Sequence, residues 1–232
     1  MPRTSSRTTA STSSALGTKK KANDSKASTS NKRQKSTRSS AFVWSESLYR
    51  YLDDPADPAV VYVDDKVIAI KDKYPKAKHH YLVMPRDKSI KSLKDINEEN
   101  KELLDYMEAV GNRLVCDNNE NGDPHLEYRM GFHAMPSMTH LHMHVISQDF
   151  NSEHLKNKKH WNSFTTTFFV PVDEVRGALS QEGGSTDYSY REKRLKDGLK
   201  CHRCGKVQSS MPSLKKHIAS CDVDPRRKEG TY

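Results

Sequence analysis

The chain has 232 residues, 34% of them hydrophobic, and a formal net charge of +9 from 39 Lys/Arg against 30 Asp/Glu. That length suits one medium domain with an appendage; the lack of a run of about 18 apolar residues argues against a membrane span, and the polar start argues against a secretory signal. The four cysteines, at 116, 201, 204 and 221, are too unevenly spaced for a disulfide framework, which favours a reducing compartment.

The charge is unevenly distributed. Residues 1–40 carry +9, residues 41–150 carry −6 and residues 151–232 carry +6. Basic segments around a mildly acidic centre suggest a polyanionic partner, because Lys and Arg release counterions from phosphates; simple solubility is the alternative. Residues 1–40 hold 18 Ser/Thr and no aromatic residue. Such a tail cannot bury enough apolar surface to offset its ordering entropy and is expected to be disordered. Its basic clusters KKK (19–21) and KRQK (32–35) are spaced like a bipartite nuclear import signal, with a nucleic-acid-binding arm as the alternative.

Folded sequence is predicted from AFVWSESLYRYL (41–52), a short helix. AVVYVDDKVIAIKD (59–72) reads as a hairpin around Asp-Asp-Lys, and HHYLVMP (79–85) as a further strand ended by Pro85. A long amphipathic helix follows, with Asp95 as its cap, Glu98 three residues on, and Ile96, Leu103, Met107, Val110 and Leu114 as its apolar stripe. Cys116 is expected to be a buried thiol at the end of this helix. EYRMGFHA (127–134) and THLHMHVIS (139–147) are strands joined through MPSM. Strands around one long helix predict an α+β fold with a largely antiparallel sheet. The expected division is a tail at 1–40, a catalytic domain at 41–180, a linker at 181–198 and a finger at 199–232.

Within HLHMHVIS, His140, His142 and His144 fall at alternate positions. On a strand they share one face, while Leu141, Met143 and Val145 point into the core. Three readings compete for that polar face. Structural histidines are common singly, but three in register would bury much polarity without purpose. A metal site is the second, although Asp149 is the only acid nearby in sequence. The third is nucleophilic catalysis at phosphorus, with one imidazole attacking and its neighbours donating to the phosphoryl oxygens.

HLHMHVI fits the His-φ-His-φ-His-φ-φ signature of the histidine triad (HIT) nucleotide hydrolases and transferases. KDKYPKAKHHYLVMP (71–85), GFHAMPSMTHLHMHVISQDF (131–150) and LKNKKHWNSF (155–164) more closely resemble the aprataxins, the DNA-adenylate hydrolase branch of that family. The resemblance implies attack by His142 on the AMP phosphorus of a 5′-adenylated DNA end. An adenylyl-histidine forms, 5′-phosphorylated DNA departs, and water releases AMP. It further implies that His140 and His144 flank the phosphate and that Ser137 donates to it. His80 would assist DNA departure, His133 and Lys159 would lie near the phosphates, and Lys76 would support the pocket. Asp72 is the candidate for the ribose hydroxyls. Trp44 and Leu48 would form a wedge helix at the DNA end, and Trp161 offers a stacking surface beside Lys156, Lys158 and Lys159.

CHRCGKVQSSMPSLKKHIASC spaces Cys201, Cys204, His217 and Cys221 as C-x2-C-x12-H-x3-C, with the last two on one face of a helix starting near Ser213. Four such ligands close a tetrahedral, structural Zn²⁺ site with no vacant position. Cys221 stands where the finger of this branch commonly has histidine. Lys206, Lys215, Lys216 and the Arg-Arg-Lys at 226–228 give the finger a phosphate-facing character, so backbone contact is expected rather than base reading. The whole reads as a nuclear, monomeric DNA-end hydrolase that needs no metal at the triad and releases AMP. A HIT hydrolase of small adenylated dinucleotides or phosphoramidates is one alternative, and a non-catalytic DNA-binding scaffold is another.

Overall fold

The computed structural model describes residues 47–121 and 126–223. The expectations for Trp44, the clusters at 19–21 and 32–35, and the Arg-Arg-Lys at 226–228 fall outside the described residues. No helix among the described residues is long and apolar enough to cross a membrane.

β1 (Val60–Val63) and β2 (Val67–Lys71) form the expected hairpin, in which Asp64 Oδ1 accepts the N–H groups of Lys66 and Val67 at 2.8 Å. β3 (His80–Pro85), β4 (Tyr128–His133), β5 (Met143–Ser147) and β6 (Phe169–Pro171) complete a six-stranded sheet in the order β1-β2-β3-β5-β4-β6. Each pairing is antiparallel. β6 has no counterpart among the predicted elements, because its three residues are too few for an alternation to register.

Side-chain alternation divides the core. Val67 and Ala69 on β2, Tyr81 and Val83 on β3, and Met143 and Val145 on β5 share a cluster with the long helix α2 (Lys101–Asn121). The intervening Ile68, Ile70, Leu82 and Met84 pack instead with Leu48, Tyr51 and Leu52 at the short helix α1 (Tyr49–Asp53). Three expectations for α2 need correction. Leu104, absent from the expected stripe, is fully buried at its centre, while the expected Leu103 packs half-buried against the same cluster, about 100° round the helix. Asp95 is not the N-cap. Ile96 turns into the core on extended backbone, so the chain enters through two 3₁₀ turns, Leu93–Asp95 and Glu98–Asn100. Ser92 and Asp95 box the first, and Asn97 caps the second by accepting from Glu99 and Asn100. Cys116 is exposed on α2 rather than buried, as expected about 200° round the helix from Leu114.

α3 (Lys158–Thr165), α4 (Val172–Leu179) and the finger helix α5 (Met211–Ala219) follow. α4 is tied to α2 by Arg176, whose Nε donates to Asp105 at 2.9 Å and whose Nη2 donates to Glu108. The expected linker at 181–198 is not a free tether. Tyr188 is buried in the α2 cluster, and a 3₁₀ helix, Ser189–Lys196, packs beside α3. Asn162 of α3 donates to the carbonyls of Leu195 and Asp197 at 3.2 and 2.8 Å. Those backbone acceptors are satisfied by the neighbouring helix, which anchors the segment.

Gly131 on β4 lies between β5 and β6, in register with His144 and Pro171. A Cβ there would lie 2.4 Å from the carbonyl oxygen of Val170 and 2.7 Å from the Phe169 ring. The obstructing atom is backbone, so β6 would have to shift. Gly131→Ala is expected to cost about 1–3 kcal/mol and to lower the melting temperature by several degrees. An unchanged thermal melt would show that β6 yields freely.

Candidate active site

His140, Leu141 and His142 precede β5 rather than lying on it, and His140 has a left-handed backbone with φ 84°. The alternation that would place three imidazoles on one strand face therefore breaks at His140. A non-glycine residue persists in that conformation only where its surroundings over-determine it. Here His140 Nε2–H donates to the Pro85 carbonyl at 2.7 Å, and the His140 carbonyl accepts His142 Nδ1–H at 2.8 Å. A carbonyl partner requires a proton on each of these nitrogens. His142 thus carries its proton on Nδ1 and a lone pair on Nε2. Together with His144 it lines the cavity, while His140 acts from behind the wall.

His144 belongs to a second chain of bonds. Its Nδ1 lies 2.9 Å from His80 Nε2, and His80 Nδ1 receives the Lys76 backbone N–H at 3.2 Å. A donor at Nδ1 sets the Nε2–H tautomer of His80, which donates to His144 and leaves the His144 proton on Nε2. Nε2 of His144 is buried and has no protein partner among the described residues. Asp72 Oδ2 lies 3.4 Å from His80 Nδ1, while its Oδ1 accepts the Tyr74 N–H at 2.7 Å. Asp72, not Asp149, is the acid that space brings to the histidines. Asp149 is committed to its own turn through Ser147, Lys78 and Asn151.

Burial dominates the electrostatics. It pushes His80 down to about 4 against the attraction of Asp72, and it pushes His133 and His144 well below the usual histidine range. His142 and His140 are also lowered by burial, partly opposed by the hydrogen bonds to the His140 and Pro85 carbonyls. The imidazoles are therefore neutral near pH 7. Lys76 is lowered by burial too, with Asp72 opposing, and its Nζ donates to the Tyr74 carbonyl.

These groups face a cavity of about 660 Å³. Leu48, Ile70, Leu82 and Met138 give it an apolar lining on the side of α1 and β2, while Lys156, Lys159, His154 and His160 line it from α3 and the preceding loop. Ser137, Asp72, Lys76, His80 and His133 complete the expected set that the fold brings together. Sequence reasoning missed Phe164, whose ring lies 5.2, 4.7 and 5.1 Å from those of His80, His133 and His144. It also missed Glu192 and Leu195, which reach the cavity from the supposed linker. The pairs Lys159/Ser163 and His160/Phe164, each four residues apart, mark the pocket face of α3 and were the available signal.

Trp161 points away from the cavity, which corrects its expected role as a stacking surface for bases. It is 1% exposed and its indole N–H donates to the Lys200 carbonyl at 2.9 Å. Its ring meets Phe150 and His202 edge-on at centroid distances of 5.0 and 5.3 Å.

The finger assembles as its spacing predicts. The knuckle turns at Gly205, with φ 74°, a left-handed position that glycine adopts without strain. Gly205 N–H returns to the Cys201 carbonyl, and α5 starts at Met211, capped by Ser210, two residues before the expected Ser213. The ligand atoms of Cys201, Cys204, His217 and Cys221 all lie within 4.8 Å of one another. Cys201 and Cys221 sulfurs are 3.9 Å apart, and Cys204 Sγ is 3.1 Å from His217 Nε2. Tetrahedral Zn²⁺ with Zn–S near 2.3 Å has edges of roughly 3.6–3.8 Å, so the donor set fits the ion. The Lys206 N–H beside Cys204 helps pull its thiol down to about 7, which favours the thiolate that zinc requires. This is a structural Zn²⁺ centre.

Residues 48–160 match the family described as scavenger mRNA decapping enzyme C-terminal binding, and residues 165–221 match the C2HE / C2H2 / C2HC zinc-binding finger. The chain is 48% identical over 180 residues to Aprataxin of Danio rerio, covering 77% of this chain and 54% of that protein. It is 32% identical to the Aprataxin-like protein of Saccharomyces cerevisiae, covering 75% of this chain and 94% of the relative. Among solved structures, the aprataxin ortholog Hnt3 in complex with DNA superposes with a TM-score of 0.63 at 30% identity, over 75% of this chain and 92% of that one. The chain spans about half the length of the Danio rerio relative.

Proposed function

The chain belongs to the aprataxin family, and from that premise we propose that it removes AMP from 5′-adenylated DNA ends left by abortive ligation. The observation that carries this reading is the polarity of His142: with Nδ1–H held by the His140 carbonyl at 2.8 Å, its Nε2 lone pair serves a cavity of nucleotide size. Burial keeps that imidazole unprotonated, as an attacking nitrogen must be.

In this reading Nε2 of His142 attacks the AMP phosphorus, forming a P–N bond as the bridging P–O bond breaks. The departing 5′-phosphate end takes up the developing charge, and His144 Nε2–H is the neutral donor at the phosphate. His80 acts through the 2.9 Å bond to His144, keeping its proton on Nε2. Ser137, His133 and Lys159 add donors or charge around the phosphoryl oxygens, Lys76 supports the wall, and Asp72 receives the ribose hydroxyls. Water then attacks the same phosphorus, a P–O bond forms as the P–N bond breaks, its proton passes to solvent, and AMP leaves with His142 restored to the neutral imidazole. Adenine fits the apolar lining of Leu48, Ile70 and Leu82. DNA is the partner, in keeping with the Hnt3–DNA complex and with the basic flanks of the chain. We read the enzyme as monomeric, and as nuclear on the strength of the clusters at 19–21 and 32–35.

The test follows AMP release from a nicked duplex carrying a 5′-adenylate beside release from a free adenylated dinucleotide. Rapid conversion of the nick to a 5′-phosphate is the expected result. Activity confined to the dinucleotide would reassign the protein to small-molecule hydrolysis. Tight DNA binding with no release from either substrate would leave a scaffold.

A further inference from the structure

The finger touches the catalytic domain through three elements that also carry pocket residues. His202, between the first two zinc ligands, donates from Nε2 to the Gln148 carbonyl at 3.0 Å, just past the end of β5 and its His144. Its ring lies 5.0 Å from Phe150 and 5.3 Å from Trp161, both edge-on. Lys200, before Cys201, accepts the Trp161 indole N–H from α3, which also presents Lys159, Ser163 and Phe164 to the cavity. Lys215, on α5 between the second and third ligands, donates to the Ser152 carbonyl at 2.8 Å. Ser152 Oγ in turn donates to the Pro75 carbonyl at 2.5 Å, beside Lys76. All three contacts come from residues 200–215, within the segment that a zinc ion on Cys201, Cys204, His217 and Cys221 would tie together.

We propose that zinc in the finger positions the catalytic pocket through the His202–Phe150–Trp161 joint, so that its loading governs turnover even of substrates too small to reach the finger. His202 and Trp161 are positioning residues: neither lines the cavity among the described residues. The packing behind this is continuous. Cys201, Leu199, Leu214 and Ile218 share one buried cluster with Ile146, Phe150, Trp161, Phe164 and Phe169. Interiors packed in this way transmit displacement rather than absorb it. Loss of the ion frees Cys201, releases the Lys200 carbonyl, and lets α3 withdraw Phe164 from the rings of His80, His133 and His144.

The proposal rests on the adenylate-hydrolase reading for its catalytic arm alone, so the experiment has two arms. In the first, amide hydrogen exchange is compared between the zinc-loaded full chain and the same protein after chelation. Exchange is expected to rise at least tenfold in residues 158–166 as well as in 199–221. A rise confined to 199–221 overturns the proposal, whatever the activity. In the second, His202→Ala, checked for full zinc content, is assayed on a short adenylated dinucleotide. The expected result is a tenfold or greater fall in kcat with KM within about twofold, restored by His202→Phe, which keeps the edge-on packing. Unchanged kcat in a zinc-loaded His202→Ala protein with ordinary exchange also overturns it. If the zinc-loaded wild type turns over no adenylated substrate, the hydrolase reading fails, while the exchange arm still decides whether zinc orders the pocket.

Discussion

His142→Ala is expected to lower AMP release from adenylated DNA by at least about 10⁴-fold, the scale on which enzymes lose turnover when a covalent nucleophile is removed. Neither neighbour can replace it. His140 Nε2 is tied to Pro85 and its ring lies outside the cavity lining, while His144 Nδ1 is tied to His80. A wild-type reaction quenched with denaturant at alkaline pH, where a P–N bond survives, should contain protein carrying one adenylyl group by mass spectrometry, and the variant should contain none. The variant should keep its zinc and melt close to wild type, because the substitution removes pocket-facing atoms and leaves the His140–Pro85 tie intact. Residual turnover within tenfold of wild type would mean that another group attacks phosphorus, and the polarity argued for His142 would be wrong.

Acidification is the second large effect. Six imidazoles, those of His80, His133, His140, His142, His144 and His202, are all lowered by burial. Their folded values lie below the ordinary 6.5, so the unfolded chain binds more protons as pH falls from about 6.5 towards 4, and stability is lost across that window. His80 and His202, each lowered to about 4, would each withdraw on the order of 3 kcal/mol by the lower limit. Domains hold only about 5–15 kcal/mol in total, so acid unfolding is expected between pH 4 and 6. Urea unfolding at pH 7.5, 6 and 5, with zinc content followed in parallel, checks this. Stability that stays level or rises at pH 5 while zinc is retained would contradict it.

The features legible in the sequence are those with local spacing. Three histidines at alternate positions and C-x2-C-x12-H-x3-C name their chemistry within a few residues, and the hairpin, β3 and the long helix follow from period and turn residues. What was not legible depends on which elements become neighbours. Nothing near His140 in sequence announces that Pro85 will hold its ring and that its backbone will turn left-handed. Trp161 and Phe164 lie three residues apart in one basic, polar stretch, yet one faces the finger and the other faces the histidines. Asp72 meets His80 because β2 and β3 are antiparallel neighbours, with Lys71 opposite Tyr81.

The shared cluster also sets an order of events during synthesis. Ile146, Phe150, Leu155, Trp161, Phe164 and Phe169 are closed over by Leu199, Cys201, Leu214 and Ile218. At about 5–20 residues per second, the ribosome needs roughly 3–10 s to proceed from Phe169 to Cys221. Throughout that interval the sheet and α2 can assemble, yet the aromatic face of the nascent domain has no cover. That cover is complete only when α5 and Cys221, the last of the four zinc ligands, have been made.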